Sequence, residues 1–517
     1  MGSETGRPRL RRVTLELVPA PSDSPTRTSS AITGLERTFA DRLPPLSVPW
    51  RGADAPEPTL LVVNEELAAA LGLDVAALRS ADGMAILSGA AAPADATPVA
   101  TAYAGHQFGG YAPLLGDGRA LLLGELIDTG GHRVDLQLKG SGPTPFSRGG
   151  DGFAVVAPML REYLVSEAMH ALGVPTTRSL AVVATGRGVH RTGIEPGAVL
   201  TRVAASHLRV GTFEFAARRP ELLGPLTDYA IARHYPELVD LPEDGNRYLA
   251  FLEAVIDRQA ALVAQWMLVG FVHGVMNTDN TTISGETIDY GPCAFIDAFD
   301  PSAVFSSIDH GGRYAFGNQP AVLKWNLARF AETLLTLMAA EPDKAIDAAT
   351  AVLASFDDRY NRYLIEGMRA KIGLIGTVGE SDLIDDLLTL MSDQRADWTG
   401  TFRALANELR GDHAPLATLI PSEHIDPWLH RWRVALDGLG RDPDETAAAM
   451  DRINPLYIPR NHHLDEALRS ATHGDISAFE QLLAAVTHPF EHRGEWDTFA
   501  APAPESFTNT FQTFCGT

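Results

Sequence analysis

Cysteine is scarce in this chain, because Cys293 and Cys515 are the only two among 517 residues. Two cysteines exclude a disulfide scaffold and a cysteine-ligated zinc site. The sequence has no run of eighteen or more apolar residues, and its first residues lack the apolar core of a signal peptide. We therefore expect a protein of the cytoplasm, a reducing compartment, with no membrane segment.

Positive charge is also in short supply, because 42 Lys and Arg stand against 65 Asp and Glu, a formal net charge of -23. Such a surface repels nucleic-acid phosphates, so we expect no nucleic-acid partner. A nucleotide pocket remains possible, since a few buried Arg and Lys are enough to bind phosphates. The chain exceeds the roughly 250 to 300 residues of a single core, so two subdomains or one elaborated domain are expected.

Hydrophobic patterning predicts that the chain is β-rich from about residue 100, after a region of polar turns. An apolar run at 119–127, a Gly turn at 129–131 and alternation over 134–138 predict a β-hairpin. The same alternation places Lys139 on the polar face of its strand, at the strand end. The hairpin is therefore expected to present a lysine next to the loop that follows it.

A helix is predicted between the strands of this first part. Residues 154–172 have helical spacing, contain Glu162 and stop at Gly173, while 180–183 and 198–203 read as strands. From residue 247 the pattern becomes helical. Further helices are predicted at 322–338, 346–365, 381–391 and 463–483. The chain is therefore expected to be α+β, with a sheet first and helices later.

The stretch Leu115-Gly-Asp-Gly-Arg119 is the first candidate for nucleotide binding. Gly116 and Gly118 let backbone amides approach a phosphate, and Arg119 adds a fixed positive charge. A tight Asp-Gly turn without a ligand is the alternative.

Lys139 and Glu162 form the second candidate. A strand-end lysine followed by a helix glutamate is the order in which kinases hold a phosphate-binding lysine. The alternative is a surface lysine and an exposed helix carboxylate, because both residue types usually lie outside. Arg202 and Arg209 have the guanidinium geometry that matches phosphate oxygens, although single arginines are often structural.

The stretch His273–Pro292 is the third candidate, since it joins Asp279 and Asn280 to Asp289 across a Gly turn. Magnesium prefers carboxylate and amide oxygens with phosphates and water, so Asn280 and Asp289 suit a metal site. Asp279 can then accept a proton from an incoming hydroxyl. Asp289-Tyr-Gly is shaped like the kinase Asp-Phe-Gly element. The alternative is an exposed Asp-rich hairpin at 278–287.

Several motifs together make the chain similar to the selenoprotein O family, known in bacteria as the YdiU family of protein adenylyltransferases, over residues 35–517. The motifs are Tyr103-Ala-Gly-His-Gln-Phe-Gly-Gly110, Leu115-Gly-Asp-Gly-Arg119, Gln137-Leu-Lys-Gly-Ser-Gly142, Leu160-Arg-Glu-Tyr163, Ala198-Val-Leu-Thr-Arg-Val-Ala-Ala-Ser-His207, the stretch 273–292 and Asn454-Pro-Leu-Tyr-Ile-Pro-Arg-Asn461. The resemblance implies an α+β, protein-kinase-like bilobal fold, with a β-rich N-lobe holding one key helix and a mainly helical C-lobe with family-specific helical additions. The expected divisions are a flexible lead-in at 1–40, an N-lobe-like nucleotide-binding region at 41–245, a helical C-lobe at 246–500 and a tail at 501–517.

The resemblance also implies an activity, the Mg²⁺- or Mn²⁺-dependent transfer of AMP from ATP, bound in a flipped orientation, to Ser, Thr or Tyr hydroxyls of proteins. Positions that match the family's nucleotide contacts are Gly116, Gly118, Arg119, Lys139, Asp151, Gly152, Arg202, Arg209 and Asp289. Asp279 matches the proposed proton acceptor, Asn280 and Asp289 match the metal ligands, and Glu162 supports Lys139. Protein substrates and ATP are the expected partners, and a monomer is the default oligomeric state.

Two features of the chain bear on these implications. Phe153 follows Asp151-Gly152 where the family usually has an arginine, so a charge contact to the nucleotide is in question. Cys515 lies third from the end, where eukaryotic relatives carry selenocysteine, and it is either a redox thiol or a tail cysteine of no consequence. Cys293 reads as a packed core thiol.

Two other functions stay open at the level of sequence. A kinase that transfers the γ-phosphoryl group uses the same order of elements and differs only in which phosphate moves. A nucleotide-binding pseudokinase that serves as a redox-sensitive binding partner, with Cys515 as its reactive group, belongs to a different class. UTP in place of ATP and the identity of the protein targets are also not determined by any motif.

Overall fold

The computed structural model describes residues 28–241, 246–377, 379 and 381–514, and it is an α+β protein with a seven-stranded antiparallel sheet and many helices. The strands, in chain order, are β1 (Thr28–Ser29), β2 (Ser47–Pro49), β3 (Thr59–Val63), β4 (Ala92–Pro93), β5 (Val99–Thr101), β6 (Gly105–Gln107), β7 (Gly110–Ala112), β8 (Ala120–Ile127), β9 (Arg133–Lys139), β10 (Arg178–His190), β11 (Ile194–Ala204), β12 (Phe271–Val272) and β13 (Ala294–Phe295). The seven-stranded sheet has the order β2, β5, β8, β9, β11, β10, β3. Two-stranded sheets join β1 with β4, β6 with β7, and β12 with β13.

Helices make up most of the described chain after residue 246. Those before it are α1 (Thr38–Arg42), α2 (Glu65–Ala70), α3 (Val75–Arg79), α4 (Ala81–Leu87), α5 (Val156–Ala171), α6 (Val210–Ala216) and α7 (Pro220–His234). Those after it are α8 (Arg247–Val269), α9 (Gln319–Met338), α10 (Pro342–Ala354), α11 (Phe356–Lys371), α12 (Ser381–Asp393), α13 (Trp398–Leu409), α14 (Ala414–Leu419), α15 (Ser422–Asp437), α16 (Pro443–Asp451), α17 (Asn461–Thr472), α18 (Ser477–Val486), α19 (Asp497–Ala500) and α20 (Glu505–Thr508). Across the described ranges, no helix has both the length and the apolar character that a bilayer crossing requires.

The predicted hairpin is confirmed as β8 and β9, with Ala120 opposite Lys139. Leu136 and Leu138 are fully buried on one face of β9. The polar face that carries Gln137 and Lys139 is buried as well, because β9 lies in the middle of the sheet between β8 and β11. Lys139 is therefore a buried strand-end lysine and not a surface lysine.

The helix predicted at 154–172 is confirmed as α5, which packs on β10 and β11. Glu162 faces the sheet and is 2% exposed. The strands predicted at 180–183 and 198–203 are the inner parts of β10 and β11, which are longer than the apolar runs alone indicate. The outer halves of β10 and β11 pair with each other as a two-stranded ribbon, which the apolar pattern does not predict.

The helices α8, α9 and α12 confirm the predictions at 247, 322–338 and 381–391, but two other predicted helices are each two helices. The run 346–365 breaks at Ser355, between α10 and α11, and both pieces pack on α8. The run 463–483 breaks between α17 and α18, where Asp475 Oδ1 accepts a hydrogen bond from the Ser477 amide at 3.0 Å. In both cases the apolar period continues across a turn, which hides the break.

The region before residue 100 is more regular than its polar turns indicate. Short helices α1 to α4 lie there because Leu67, Leu78 and Ile86 bury apolar side chains against the core. Residues 1–27 of the predicted lead-in at 1–40 lie outside the described residues. Within the rest of that lead-in, Ile32 and Phe39 are buried in the core. Ile32 and Phe39 therefore belong to the packed core although they lie within the predicted lead-in.

The loop 273–292 is held between secondary structures that the sequence predicts only in part. Helix α8 begins at an Asn246 cap and ends at Gly270, and β12 then pairs with β13 on the far side of the loop. His273, fully buried, donates from Nε2 to the Ile288 carbonyl oxygen at 2.9 Å. This hydrogen bond ties the start of the loop to the residue before Asp289.

Candidate functional site

A cavity of about 340 Å³ lies between the end of β9 and the loop 273–292, a volume within the range of small-molecule sites. The predicted site residues that line it are Gly116, Gly118, Arg119, Lys139, Asp151, Gly152, Arg202, Arg209, Asp279, Asn280 and Asp289. Glu162 lies behind this wall, in contact with Lys139. The fold thus gathers residues that are far apart in the sequence into one place.

The turn 115–119 forms one side of the cavity. Gly116 has φ +76°, and a Cβ there would clash with the Phe146 ring, so a close approach and a left-handed backbone both require glycine. Asp117 between the two glycines is buried, and its Oδ2 accepts from the Thr101 amide at 3.0 Å and the Thr101 hydroxyl at 2.7 Å. These bonds fix the turn from behind and leave its glycines facing the cavity.

Lys139 and Glu162 are in contact as the sequence predicts, with Nζ 2.5 Å from Oε2. Arg202, fully buried, donates from Nε to the other oxygen of Glu162. Burial alone would raise the pKa of Glu162, but the charges of Arg202 and Lys139 outweigh it and lower the pKa. Glu162 therefore holds two cations in fixed positions at the base of the cavity.

Asp289 is the point at which the cations converge. Its Oδ1 accepts from Lys139 Nζ at 2.9 Å and from Arg202, and its Oδ2 accepts from Arg209 at 3.0 Å. Its φ of +64° lies in the left-handed region, which Asp tolerates better than most residues. Burial would raise the pKa of Asp289, but the charges of Arg202, Lys139 and Arg209 hold it well below the usual range.

Asp279 lies in the short 3₁₀ turn Thr278–Asn280 and is buried. Its backbone carbonyl accepts from Arg209 at 2.8 Å, and its Oδ2 accepts from Gln107 Nε2 at 3.2 Å. Within the described part of the chain, Oδ1 has no hydrogen-bond partner. Burial raises the pKa of Asp279 to about 6, despite the opposing charge of Arg209. The carboxyl group is thus suited to exchange a proton near neutral pH.

Asn280 also faces the cavity, and its Nδ2 donates to the Val275 carbonyl oxygen at 2.9 Å. This bond holds the amide, so its oxygen is the atom available to a cation. No group of three or more His, Cys, Asp or Glu in the described ranges forms a metal cluster. A site made of Asn280 Oδ1, Asp289 and nucleotide phosphates needs no such cluster and fits the donor set that Mg²⁺ prefers.

Asp151 and Gly152 lie at the opening of the cavity. Gly152 has φ +70°, and a Cβ there would collide with the backbone of Gly142 and Pro143. Arg191 contacts both oxygens of Asp151, at 2.8 and 3.2 Å, and donates to the Phe153 carbonyl oxygen at 3.0 Å. A guanidinium therefore lies at this loop although residue 153 is phenylalanine.

Arg191 and Gln107 are site residues that the sequence analysis did not identify. Arg191 lies in the turn between β10 and β11, forty positions from Asp151, and nothing local distinguishes it from other surface arginines. Gln107 belongs to the motif at 103–110, so the resemblance offered a signal, but its contact with Asp279 depends on tertiary structure.

The cysteine within the described residues, Cys293, is buried, and burial raises the pKa of its thiol to about 11. Cys515 lies outside the described residues.

Comparison with known proteins shows the family of the chain. Residues 35–487 match the family model described as protein adenylyltransferase SelO. A protein of Rhodococcus jostii (strain RHA1) named protein nucleotidyltransferase YdiU is 71% identical over 497 residues, which cover 96% of this chain and 97% of the relative. A protein of the same name from Mycolicibacterium smegmatis is 56% identical over 499 residues, 95% of this chain and 99% of the relative.

The family model and these relatives show that the chain, with its cavity lined by cations and carboxylates, is an enzyme of the protein nucleotidyltransferase class. The chain belongs to the SelO family of protein adenylyltransferases.

Proposed function

We propose that this enzyme transfers AMP from ATP to Ser, Thr or Tyr hydroxyls of proteins and releases pyrophosphate. The observation that carries the proposal is the convergence of Lys139, Arg202 and Arg209 on Asp289, beside the buried carboxyl of Asp279. Lys139 and Arg202 also bind Glu162, and all three cations line the cavity together with Asp279 and Asp289. Nucleotide phosphates are the ligand that we propose for these cations, because guanidinium and ammonium groups match phosphate oxygens.

In the proposed reaction, Asp279 receives the proton of the attacking hydroxyl at Oδ1, the oxygen without a partner in the described chain. The hydroxyl oxygen forms a bond to the α-phosphorus, and the bond from that phosphorus to the bridging oxygen of the β-phosphate breaks. Pyrophosphate leaves with the electron pair. Lys139, Arg202 and Arg209 would stabilise its charge, because fixed cations in a water-poor site act strongly on a developing anion.

Asn280 Oδ1 and Asp289 would hold Mg²⁺ or Mn²⁺, which supplies charge neutralisation for the phosphates when it is bound. In this structure Asp289 is satisfied by three cationic side chains. The proposal therefore includes a rearrangement in which the phosphates take over the contacts of Lys139 and the arginines. Asp289 then becomes available as an oxygen ligand.

The protein-kinase-like, two-lobed arrangement with a flipped nucleotide is part of the same proposal. It is supported by an antiparallel sheet whose central lysine pairs with a glutamate of helix α5, and by Asp289 on a loop that follows helix α8. The predicted divisions at 1–40, 41–245, 246–500 and 501–517 are part of the same proposal. We also propose that the chain acts as a monomer on protein substrates in the cytoplasm.

The kinase alternative is favoured by one contact, the 2.5 Å pair of Lys139 and Glu162, which a γ-phosphoryl transferase also requires. The two reactions are separated by incubating the purified protein with Mg²⁺, a protein acceptor and ATP labelled at the α- or the γ-phosphate. Label from the α-position alone is the expected result. Label from the γ-position alone would replace the proposal by the kinase alternative.

Two further arms complete this experiment. The Asp289→Ala variant should incorporate no label while its circular dichroism spectrum stays unchanged, and retained labelling would contradict the assignment of Asp289. Labelled UTP in place of ATP measures the preference for the nucleobase.

The chain belongs to a family of enzymes, which argues against the non-enzymatic scaffold. An Asp279→Ala variant that incorporates as much label as the original chain would argue that another residue is the proton acceptor.

A further inference from the structure

A surface of aromatic rings and arginines lies beside the loop that carries Asp279. His106 and Tyr111, from the hairpin of β6 and β7, have ring centroids 4.9 Å apart, and His106 lies 5.3 Å from Trp325 of α9. The guanidinium of Arg218 lies 4.5 Å from the centre of the Tyr111 ring, and that of Arg313 lies 5.0 Å from the centre of a Trp325 ring. We call these five residues the aromatic-arginine surface.

This surface is tied directly to the candidate catalytic loop. The His106 amide donates to Thr278 Oγ1 at 2.6 Å, and the next residue, Gln107, donates to Asp279 Oδ2 at 3.2 Å. A polypeptide whose hydroxyl reaches Asp279 must pass the residues next to Asp279. The hairpin of β6 and β7 is one of the elements that contact this loop. The surface thus lies where the chain on one side of an acceptor hydroxyl would run.

The two arginines of the surface are available to an external anion. Arg218 is exposed and Arg313 is half-buried. Within the described residues, neither guanidinium forms an ion pair with a carboxylate, and Arg313 Nε has no hydrogen-bond partner. The carboxylates nearby are already engaged, since Glu214 bonds to His106 and Thr278. Glu332 pairs with Arg329 and Asp309 accepts from the Arg313 amide.

We propose that the aromatic-arginine surface docks an acidic segment of the polypeptide substrate, next to the hydroxyl that is modified. The inference rests on the proposed function, since it names the substrate class of the same site. Guanidinium groups held over aromatic rings are restricted in position and can still donate to carboxylates, and the rings add apolar contact. In a chain of net charge -23, an acidic partner needs a local positive surface of this kind.

The test is a binding measurement that does not depend on catalysis. Two fluorescein-labelled peptides of equal length are compared, each with a central Tyr. The Tyr is flanked by Glu residues in one peptide and by Lys residues in the other. Fluorescence anisotropy with the full chain is expected to give about tenfold tighter binding of the Glu peptide. The double variant Arg218→Glu/Arg313→Glu should lose that preference.

The matched control is Arg362→Glu/Arg493→Glu, which makes the same change of net charge. Its arginines also lie on aromatic rings, 4.7 Å from Tyr363 and 4.4 Å from Trp496, in other parts of the structure. This control should bind the Glu peptide as the original chain does. Both double variants should keep their affinity for Mg²⁺ and ATP, because none of the four arginines lines the cavity. Arg362 and Arg493 pair with Asp257 and Glu491, so melting curves are recorded to verify that each variant is folded at the temperature of the binding measurement.

Each outcome decides the inference. Equal binding of the two peptides, no binding of either, or undiminished binding by Arg218→Glu/Arg313→Glu would overturn it. The same loss in the control variant would also overturn it, because the effect would then come from net charge. If the Glu peptide binds as expected while no label from α-labelled ATP is incorporated, the docking surface stands and the proposed reaction falls.

Discussion

Lys139 Nζ lies 2.9 Å from Asp289 Oδ1, although 150 positions separate the two residues in the chain. Lys139 ends a central strand, and Asp289 follows the turn of a loop that helix α8 and the β12–β13 pair hold in place. Glu162 fixes the lysine from the other side at 2.5 Å. The contact joins the sheet to the loop and creates the cationic centre of the cavity.

The Lys139→Met variant should therefore lose the transfer reaction while keeping its fold. Removing one preorganised positive charge from a site of this kind costs about 100-fold or more in kcat. Arg202 and Arg209 remain bound to Glu162 and Asp289, so the fold should be kept, although the loss of one partner of a buried ion pair should lower the melting temperature. Incorporation of α-label measures the loss, and Lys324→Met, which removes a surface lysine paired with Asp357, is the control. Activity of Lys139→Met within threefold of the original would contradict the role of the lysine.

The buried carboxyl of Asp279 makes the metal-free protein sensitive to pH. Its pKa is raised from 3.8 to about 6 because burial disfavours the charged form. The folded chain thus binds this proton more tightly than the unfolded chain, so this group's contribution to stability falls as pH rises from about 3.8 to about 6. Asp279→Asn removes the buried charge and should stabilise the protein by about 3 kcal/mol above pH 7.

Melting curves in EDTA at pH 8 and pH 4 measure this effect without a metal ion. The variant should melt about 2–3 °C higher than the original chain at pH 8. The difference should fall below about 1 °C at pH 4, because the folded carboxyl is then protonated and only about half of the unfolded molecules have lost that proton. A variant that melts lower at pH 8 would show that the charged carboxylate is stabilised by contacts other than those seen here.

Gln107 is expected to act by positioning Asp279. Its amide is the side-chain donor to Asp279 Oδ2, and this bond lowers the pKa of the carboxyl against the effect of burial. Gln107→Ala should reduce kcat roughly tenfold and move the acidic limb of the pH profile upward. The affinity for Mg²⁺ and ATP should stay within about twofold, because the phosphate-facing cations are intact. Equal losses in kcat and nucleotide affinity, with no shift of the pH profile, would indicate a general structural defect instead.

Arg191 is expected to replace the arginine that the family usually carries at residue 153. It contacts both oxygens of Asp151 and lines the opening of the cavity. Arg191→Ala should weaken ATP binding by about five- to tenfold with a small effect on kcat. The double variant Phe153→Arg/Arg191→Ala should recover most of the affinity. No loss in the single variant, measured by isothermal titration, would remove Arg191 from the nucleotide contacts.

The predictions from sequence were best where a local pattern decides the outcome. The hairpin of β8 and β9 and the helix α5 follow from alternation and from helical spacing, which depend on residues a few positions apart. The same patterns failed at Ser355 and near Asp475, where an apolar period continues through a break. They also missed the short helices before residue 100, whose apolar positions are too few to show a period.

The residues of the candidate site could be named from motifs, but the ion pairs that they form could not be predicted. The sequence and its resemblance named Lys139, Arg202, Asp279 and Asp289, and the structure places them around one cavity. The convergence of three cations on Asp289 and the partnership of Arg191 with Asp151 were not visible, since they join residues 40 to 150 positions apart.

The sequence by itself determined the α+β character, the strand that ends in Lys139, the helix that carries Glu162 and the oxygen-rich loop around Asp279. Each of these depends on residue type and on neighbours within one or two turns of chain. Only the tertiary structure decided that Lys139 is buried, that Asp279 is removed from water and that Asp289 is surrounded by positive charge. Burial and charge pairing depend on which distant elements pack together, and they set the pKa values on which the proposed chemistry relies.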